Sequence, residues 1–289
     1  AIRFQGFNQN IHVGTTSGPS RTMGIQNTGS AILNLDLVNN NYDNAVDGYI
    51  LGFLQGIVTI TGNSKKNGSA RALSFTSNGI DPSVLTIANN DFQYSGQGID
   101  ITNLGGGSFT AWIMPGSNVL TGSGNTATGY ALKFTNSANI RLDSLDLSIP
   151  VGIALVAGSV GLSLTNSTGI NIIGCDLSRH SIGIVLAGNL NSGLYIDSTN
   201  LSYSGSYAFY AGSASIDNNL VLQNSDLSFS TRGIFIDAPR IGTATTWNWS
   251  SNNFYRTGIG VVQNSNPDAS SFAVGLRNVA STPLLTIAN

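Results

Sequence analysis

The eight residues Ile170-Asn171-Ile172-Ile173-Gly174-Cys175-Asp176-Leu177 alternate apolar and outward positions, pause on small residues, turn on Asp and resume with Leu. The same order returns as Leu85-Thr86-Ile87-Ala88-Asn89-Asn90-Asp91-Phe92 and as Leu220-Val221-Leu222-Gln223-Asn224-Ser225-Asp226-Leu227. Aligning all copies puts the first apolar position at Leu35, Val58, Leu85, Trp112, Ile140, Ile170, Leu194, Leu220 and Trp247, spaced by 23 to 30 residues and by 26.5 on average. The turn column reads Asn41, Ser64, Asp91, Asn118, Asp146, Asp176, Asn200, Asp226 and Asn253. These are the residue types that tolerate left-handed backbone and bond their own main chain. The column after it is apolar except at Lys65, so the second copy matches least well.

Alternation with period two describes strands with one buried face. A second strand, often opened by Gly, follows at Gly98-Ile99-Asp100-Ile101, Gly152-Ile153-Ala154-Leu155, Gly183-Ile184-Val185-Leu186 and Gly233-Ile234-Phe235-Ile236. A shorter third strand fits at Gly161-Leu162-Ser163-Leu164. With no Glu at all and only three Lys, the chain lacks two of the best helix formers. Two strands per repeat with Asn-rich turns resemble the right-handed parallel β-helix superfamily, the pectate-lyase-like solenoids, over residues 31–262. The resemblance implies an all-β, single-stranded right-handed helix of about nine to eleven coils, roughly 26 residues each. An antiparallel sandwich or jelly roll is the competing architecture, but it has no reason to repeat one column order nine times. Residues 1–30 fit the pattern poorly and read as an N-terminal cap or irregular first coil, and 31–289 as the helix. The closing Leu285-Thr286-Ile287-Ala288-Asn289 repeats Leu85 to Asn89 letter for letter. That is expected of a chain that continues, or of an end covered by a partner; a short irregular closing strand is the alternative.

The 289 residues carry only 9% charged side chains and a net charge of −2, with no basic run to neutralise a phosphate backbone. No nucleic-acid partner is expected. No apolar stretch approaches the length of a membrane span, so no insertion is expected either. The single cysteine, Cys175, rules out an internal disulfide and any Cys-based zinc site. No cofactor or metal site is expected; Asp43 and Asp47 in one loop are a weak calcium pair.

In a stacked coil, function lies on outward positions and loops. The first strands place Arg141 and Asp143, Asn171 and Ile173, Tyr195 and Asp197 on one face, extended by Gln223 and Asn248. Arg141, Asp143, Asn171, Tyr195 and Asp197 are the candidate ligand-binding residues, suited to a sugar. Asp143 and Asp197 stand two coils apart, about 9.6 Å, near the carboxylate spacing of inverting glycosidases. Ile173 falls between them. His180, beside Asp176 and Arg179, has the look of an acid–base cluster, although an exposed turn histidine is the plainer expectation.

On the second strands, Ala154, Val185, Phe209 and Phe235 place apolar side chains outward in four successive coils, after Ser74, Asp100 and Lys133. They form the candidate partner-binding stripe, unless a loop of the chain itself covers it. The catalytic motifs of pectate-lyase-like enzymes are missing, so no catalytic residue is assigned. Low charge, one cysteine and abundant Asn, Gly and Ser resemble the passenger regions of adhesins and autotransporters. The reading is an extracellular or cell-surface module, adhesive or structural, that associates end to end or laterally, or binds a polysaccharide or protein. A carbohydrate-active enzyme, lyase or inverting hydrolase, is the alternative. An ice-binding solenoid ranks third, because Thr59-Ile60-Thr61 is not repeated.

Overall fold

The computed structural model describes the backbone of residues 2–4, 11–13, 23–27, 32–43, 46–52, 54–77, 81–105, 112–190, 193–212, 215–216, 220–237, 246–257, 261–263, 272–277 and 284–288. Every regular element among them is a strand, and the strands stack as a parallel β-solenoid. Trp112–Pro115, Ala138–Asp143, Thr168–Ile173, Leu194–Asp197, Leu220–Gln223, Thr246–Ser250 and Leu284–Ala288 form one seven-stranded sheet in that order. Trp112, Ile140, Ile170, Leu194, Leu220, Trp247 and Leu285 are in register along it. The closing strand is thus a regular rung.

Three earlier strands, Ile32–Val38, Leu54–Thr61 and Val84–Ala88, carry the same column in a separate sheet. The uninterrupted stack therefore has about seven turns, not nine to eleven. The reason lies between Val84–Ala88 and Trp112–Pro115, where the backbone ladder lapses and the Trp112 indole Nε1 donates to the Leu85 carbonyl at 2.9 Å instead. The sheet of second strands runs unbroken past this seam, with Gln97–Thr102 paired to Tyr130–Thr135 in register. At the first end, Ile2–Phe4 runs antiparallel to Ile32–Val38, and Ile11–Val13 antiparallel to Met23–Asn27.

Small residues open the second strands because neighbouring coils approach closely there. A Cβ on Gly98 would stand 2.0 Å from the Ala131 carbonyl oxygen. At the bend, isolated parallel bridges link Asn41, Ser64, Asp91, Val119, Asp146, Asp176, Asn200, Asp226 and Asn253. The fourth copy is thus offset by one from the sequence alignment. Asn118 belongs instead to the column before, where Asn63, Asn90 and Asn118 are buried. Each amide there bonds coil to coil: Asn90 Nδ2 donates to Ile60 O at 2.8 Å and to Asn118 Oδ1 at 3.0 Å. This ladder satisfies main-chain groups that the bend would otherwise bury unpaired. Further on, Leu145, Cys175, Thr199 and Ser225 take over the column. Cys175 is buried, and burial pushes its thiol up to about 11, which leaves it inert.

Lys65, the apparent mismatch, occupies the same inward column as Phe92 and is fully buried. Among the described residues its Nζ finds only the Ala70 carbonyl and Ser95 Oγ as hydrogen-bond acceptors, both at 3.5 Å. Burial lowers its pKa to about 8 from 10.5, against the opposing attraction of Asp47. Between those two values the unfolded chain holds the extra proton, so stability rises with pH across that window. At neutral pH the buried charge costs about 3 kcal/mol, at about 1.4 kcal/mol per factor of ten in proton affinity. Lys65→Met fills the column without a charge. The variant is expected to unfold at higher urea concentration at pH 7, and to lose the rise in stability between pH 8 and 10.5. Equal midpoints for both proteins at pH 7 would contradict this account.

Candidate functional site

The outward positions of the first sheet form two rows. One row runs Ile113, Arg141, Asn171, Tyr195, Val221 and Asn248; the other runs Pro115, Asp143, Ile173, Asp197, Gln223 and Ser250. Arg141, Asp143, Asn171, Tyr195 and Asp197 are therefore brought together on one face, and Val221 separates Tyr195 from Asn248. Arg141 Nη2 donates to Asp143 Oδ2 at 3.0 Å. The Tyr195 hydroxyl donates to Asp197 Oδ2 at 2.9 Å and accepts from Gln223 Nε2 at 2.9 Å. Asn224 Nδ2 and Ser198 Oγ donate to the other Asp197 oxygen at 2.9 and 3.0 Å. Desolvation raises the Asp197 pKa, but together these donors outweigh it and hold the carboxyl below its usual value. Accepting from Tyr195, the same carboxylate pushes the Tyr195 phenol pKa up.

A carboxylate held in this way is a fixed acceptor at neutral pH rather than a proton donor. Ile173 lies between Asp143 and Asp197 in the outward row. The face is built to position side chains. Beside it lies an open depression of about 500 Å³, lined by Asn139, Gly169, Asn171, Gly193, Leu194, Tyr195 and Val221.

His180 is not an exposed turn residue. It is fully buried, and its Nε2 lies 2.7 Å from the Leu147 carbonyl oxygen. A carbonyl only accepts, so Nε2 carries the proton, while Nδ1 has no partner among the described residues. Other coils place Ser95, Ser123, Ser204, Ser230 and Thr257 in this column, and Ser230 Oγ and Thr257 Oγ1 likewise donate to carbonyls of the preceding coil. His180 is a structural cap. Asp43 accepts from Ser64 Oγ at 2.6 Å and from Lys66 N at 2.9 Å, while Asp47 pairs with Arg71 Nε at 3.4 Å. No group of three or more metal-binding side chains occurs among the described residues.

The expected apolar stripe is corrected in three places. The second strand of the fifth coil is Val160–Thr165, not Gly152 to Leu155, so Ser163 rather than Ala154 precedes Val185 in the outward row. Pro150 takes the chain out of the coil, and Ala154 lies on an exposed insertion of residues 150–158. Phe209 points into the core at 1% exposure; Tyr210 is the outward residue, because Ala208 stands where Gly183 and Gly233 stand. Val185 is outward as expected. Phe235 is outward too, yet only 1% exposed, with Tyr207 and Tyr210 packed on it at 5.6 and 5.8 Å. This stripe is covered by its own chain at Phe235.

A different surface emerges at the bend, three residues past the turn column. Asn67, Tyr94, Gly122, Arg179, Tyr203, Phe229 and Arg256 all have positive φ there. Asn and Gly adopt that backbone cheaply, but for bulky residues it costs about 1–2 kcal/mol each. Tyr203 and Phe229 stack at 4.7 Å, nearly parallel, and Tyr255 meets Phe229 edge-on at 5.5 Å. The Arg256 guanidinium lies 5.3 Å from the Tyr255 ring centre. Arg179 and Arg256 form no ion pair among the described residues. Nine large apolar side chains are exposed among the described residues. Six belong to this corner or to the insertion that leaves it: Tyr94, Val151, Ile153, Tyr203, Phe229 and Tyr255. Leu155 of the insertion reaches forward to Gly205, where an added Cβ would stand 2.7 Å from its Cδ2. Asn125 holds the loop from the other side, donating to Ala154 O and accepting from Val156 N, both at 2.9 Å.

The sequence alignment did not reach this corner. Its signal was the presence of Asn67 and Gly122 in one fixed column, which marks left-handed backbone at that position in seven of the coils. No protein-family model matches the chain, and neither a curated protein nor a solved structure matches it.

Proposed function

We propose that the chain is a non-enzymatic, extracellular adhesive module that holds a protein partner along this corner. The observation that carries the reading is the series of bulky side chains kept at left-handed positions. Asn67 and Gly122 show that the fold accepts cheap residues in the same column. Backbone strain kept at bulky residues clusters at functional sites, where the surrounding contacts hold it in place. Tyr and Arg are also the side chains that dominate protein interfaces. In the Tyr203–Phe229 stack the ring faces are turned to each other, so the rims point outward, and aromatic rims carry positive partial charge. With Arg179 and Arg256 at the flanks, about 14 Å apart along the stack, the ridge suits a partner surface bearing carboxylates. A low-charge, Asn- and Ser-rich surface and a lone thiol buried beyond reach of oxidants suit an oxidising, extracellular setting. The winding is taken as right-handed, the sense that about 98% of parallel crossovers adopt.

The test is adhesion of beads coated with the protein to fibronectin, to collagen and to the chain itself. The wild type is expected to adhere to a matrix protein, more weakly as salt rises. Tyr203→Asn with Phe229→Asn is expected to abolish adhesion in a folded protein. Undiminished adhesion by that variant would refute the reading.

A further inference from the structure

We infer that the depression beside Tyr195 is a second and separate binding site, for a neutral polyhydroxylated ligand such as an oligosaccharide. Its floor runs across three successive coils through Asn139, Gly169 and Gly193, all at positive φ. Glycine holds the left-handed backbone at two of these coils, and the Asn139 amide oxygen reaches over Gly169, where an added Cβ would stand 3.0 Å from it. The side of the depression supplies the amide of Asn171 and the ring of Tyr195, with Val221 as an apolar end. The amides of Asn139 and Asn171, which donate and accept, together with an aromatic ring are the complement of a sugar's hydroxyls and C–H faces.

Two features separate this site from a merely solvated face. The first is the concave volume of about 500 Å³, well within the range of small-ligand sites. The second is the effort spent on one side chain. Asp197 gathers donors from Tyr195, Ser198, Gln223 and Asn224, which span two adjacent coils, and through them the Tyr195 ring is fixed before any ligand arrives. A ring already immobilised loses little entropy on binding. Asp197 is thus a positioning residue for Tyr195, not a ligand contact. Charge argues for the neutral class: none of the lining residues is charged, and Arg141, next to Asn171 in the outward row, is paired with Asp143. A ligand following the floor would run parallel to the solenoid axis and span about 10 Å from Asn139 to Gly193.

The site does not depend on the corner that carries the adhesive reading, and one experiment separates the two. Cellohexaose and maltohexaose are titrated into the isotopically labelled protein, following the amides of Gly169, Asn171 and Gly193. At least one sugar is expected to shift these resonances. Tyr195→Ala is expected to weaken binding at least tenfold, and Asp197→Asn several-fold with the ring retained but loosened. Tyr203→Asn with Phe229→Asn should leave sugar binding unchanged. Absence of shifts with both sugars overturns the proposal, as does binding that survives Tyr195→Ala. Response to an oligogalacturonate alone, lost at high salt, would overturn the neutral assignment.

Discussion

Acidification from pH 7 to pH 4 is expected to remove about 3 kcal/mol of folding stability through a single side chain, His180. Burial lowers the pKa of its imidazole to about 4 from 6.5, with the Leu147 contact and Asp176 pulling weakly the other way. Because the folded value is the lower one, the unfolded chain takes up the proton first. The contribution is intact above pH 6.5, declines as pH falls, and is gone once the folded ring itself protonates near 4. Carboxylates with lowered values, such as Asp43 and Asp197, act only at still lower pH, so the two effects occupy different windows. His180→Gln keeps an N–H for the Leu147 carbonyl without a titrating group. Urea unfolding at pH 7, 5.5 and 4 should show a falling midpoint for the wild type and a flat one for the variant. Parallel curves for the two proteins would mean that the ring is not the responsible group.

The second large effect concerns the corner, where Tyr203→Asn with Phe229→Asn should separate stability from adhesion. Each wild-type residue bears about 1–2 kcal/mol of left-handed strain, and Asn relieves most of it. Against that gain stand the lost ring contacts, about 0.5–1.5 kcal/mol for each pair. The balance is a protein as stable as the wild type, or up to about 2 kcal/mol more stable, that no longer adheres. A loss of more than about 1 kcal/mol would show that stacking, not display, keeps these rings in place. Such a result would withdraw the adhesive reading.

The solenoid itself was legible because a stacked coil converts sequence period into spatial neighbours. The columns at Ile140, Ile170 and Leu194, and the face they place outward, follow from alternation alone. What escaped did so for identifiable physical reasons. Gly152 to Leu155 alternates like a strand, but Pro150 had already led the chain out of the coil, which alternation cannot register. In Tyr207-Ala208-Phe209-Tyr210-Ala211 aromatic and small residues fill both faces, so alternation alone does not tell inward Phe209 from outward Tyr210. Lys65 looked like a failure of the repeat, since charge in a core column is normally excluded; the structure tolerates it at a cost. The corner went unread because left-handed backbone is a property of φ, visible in letters only through the Asn and Gly that share its column.

The seam at Trp112 has a mechanical consequence. Of the two main walls of this molecule, one is a continuous strand ladder through this point, while in the other the strands change sheet there and the coils are joined by the Trp112 indole, the Asn118 amide and the bridge at Asp91 and Val119. Side chains thus take over from the strand ladder at one level of the stack, so a substitution at Trp112 or Asn118 would loosen the grip between two coils that no paired strand secures on that wall.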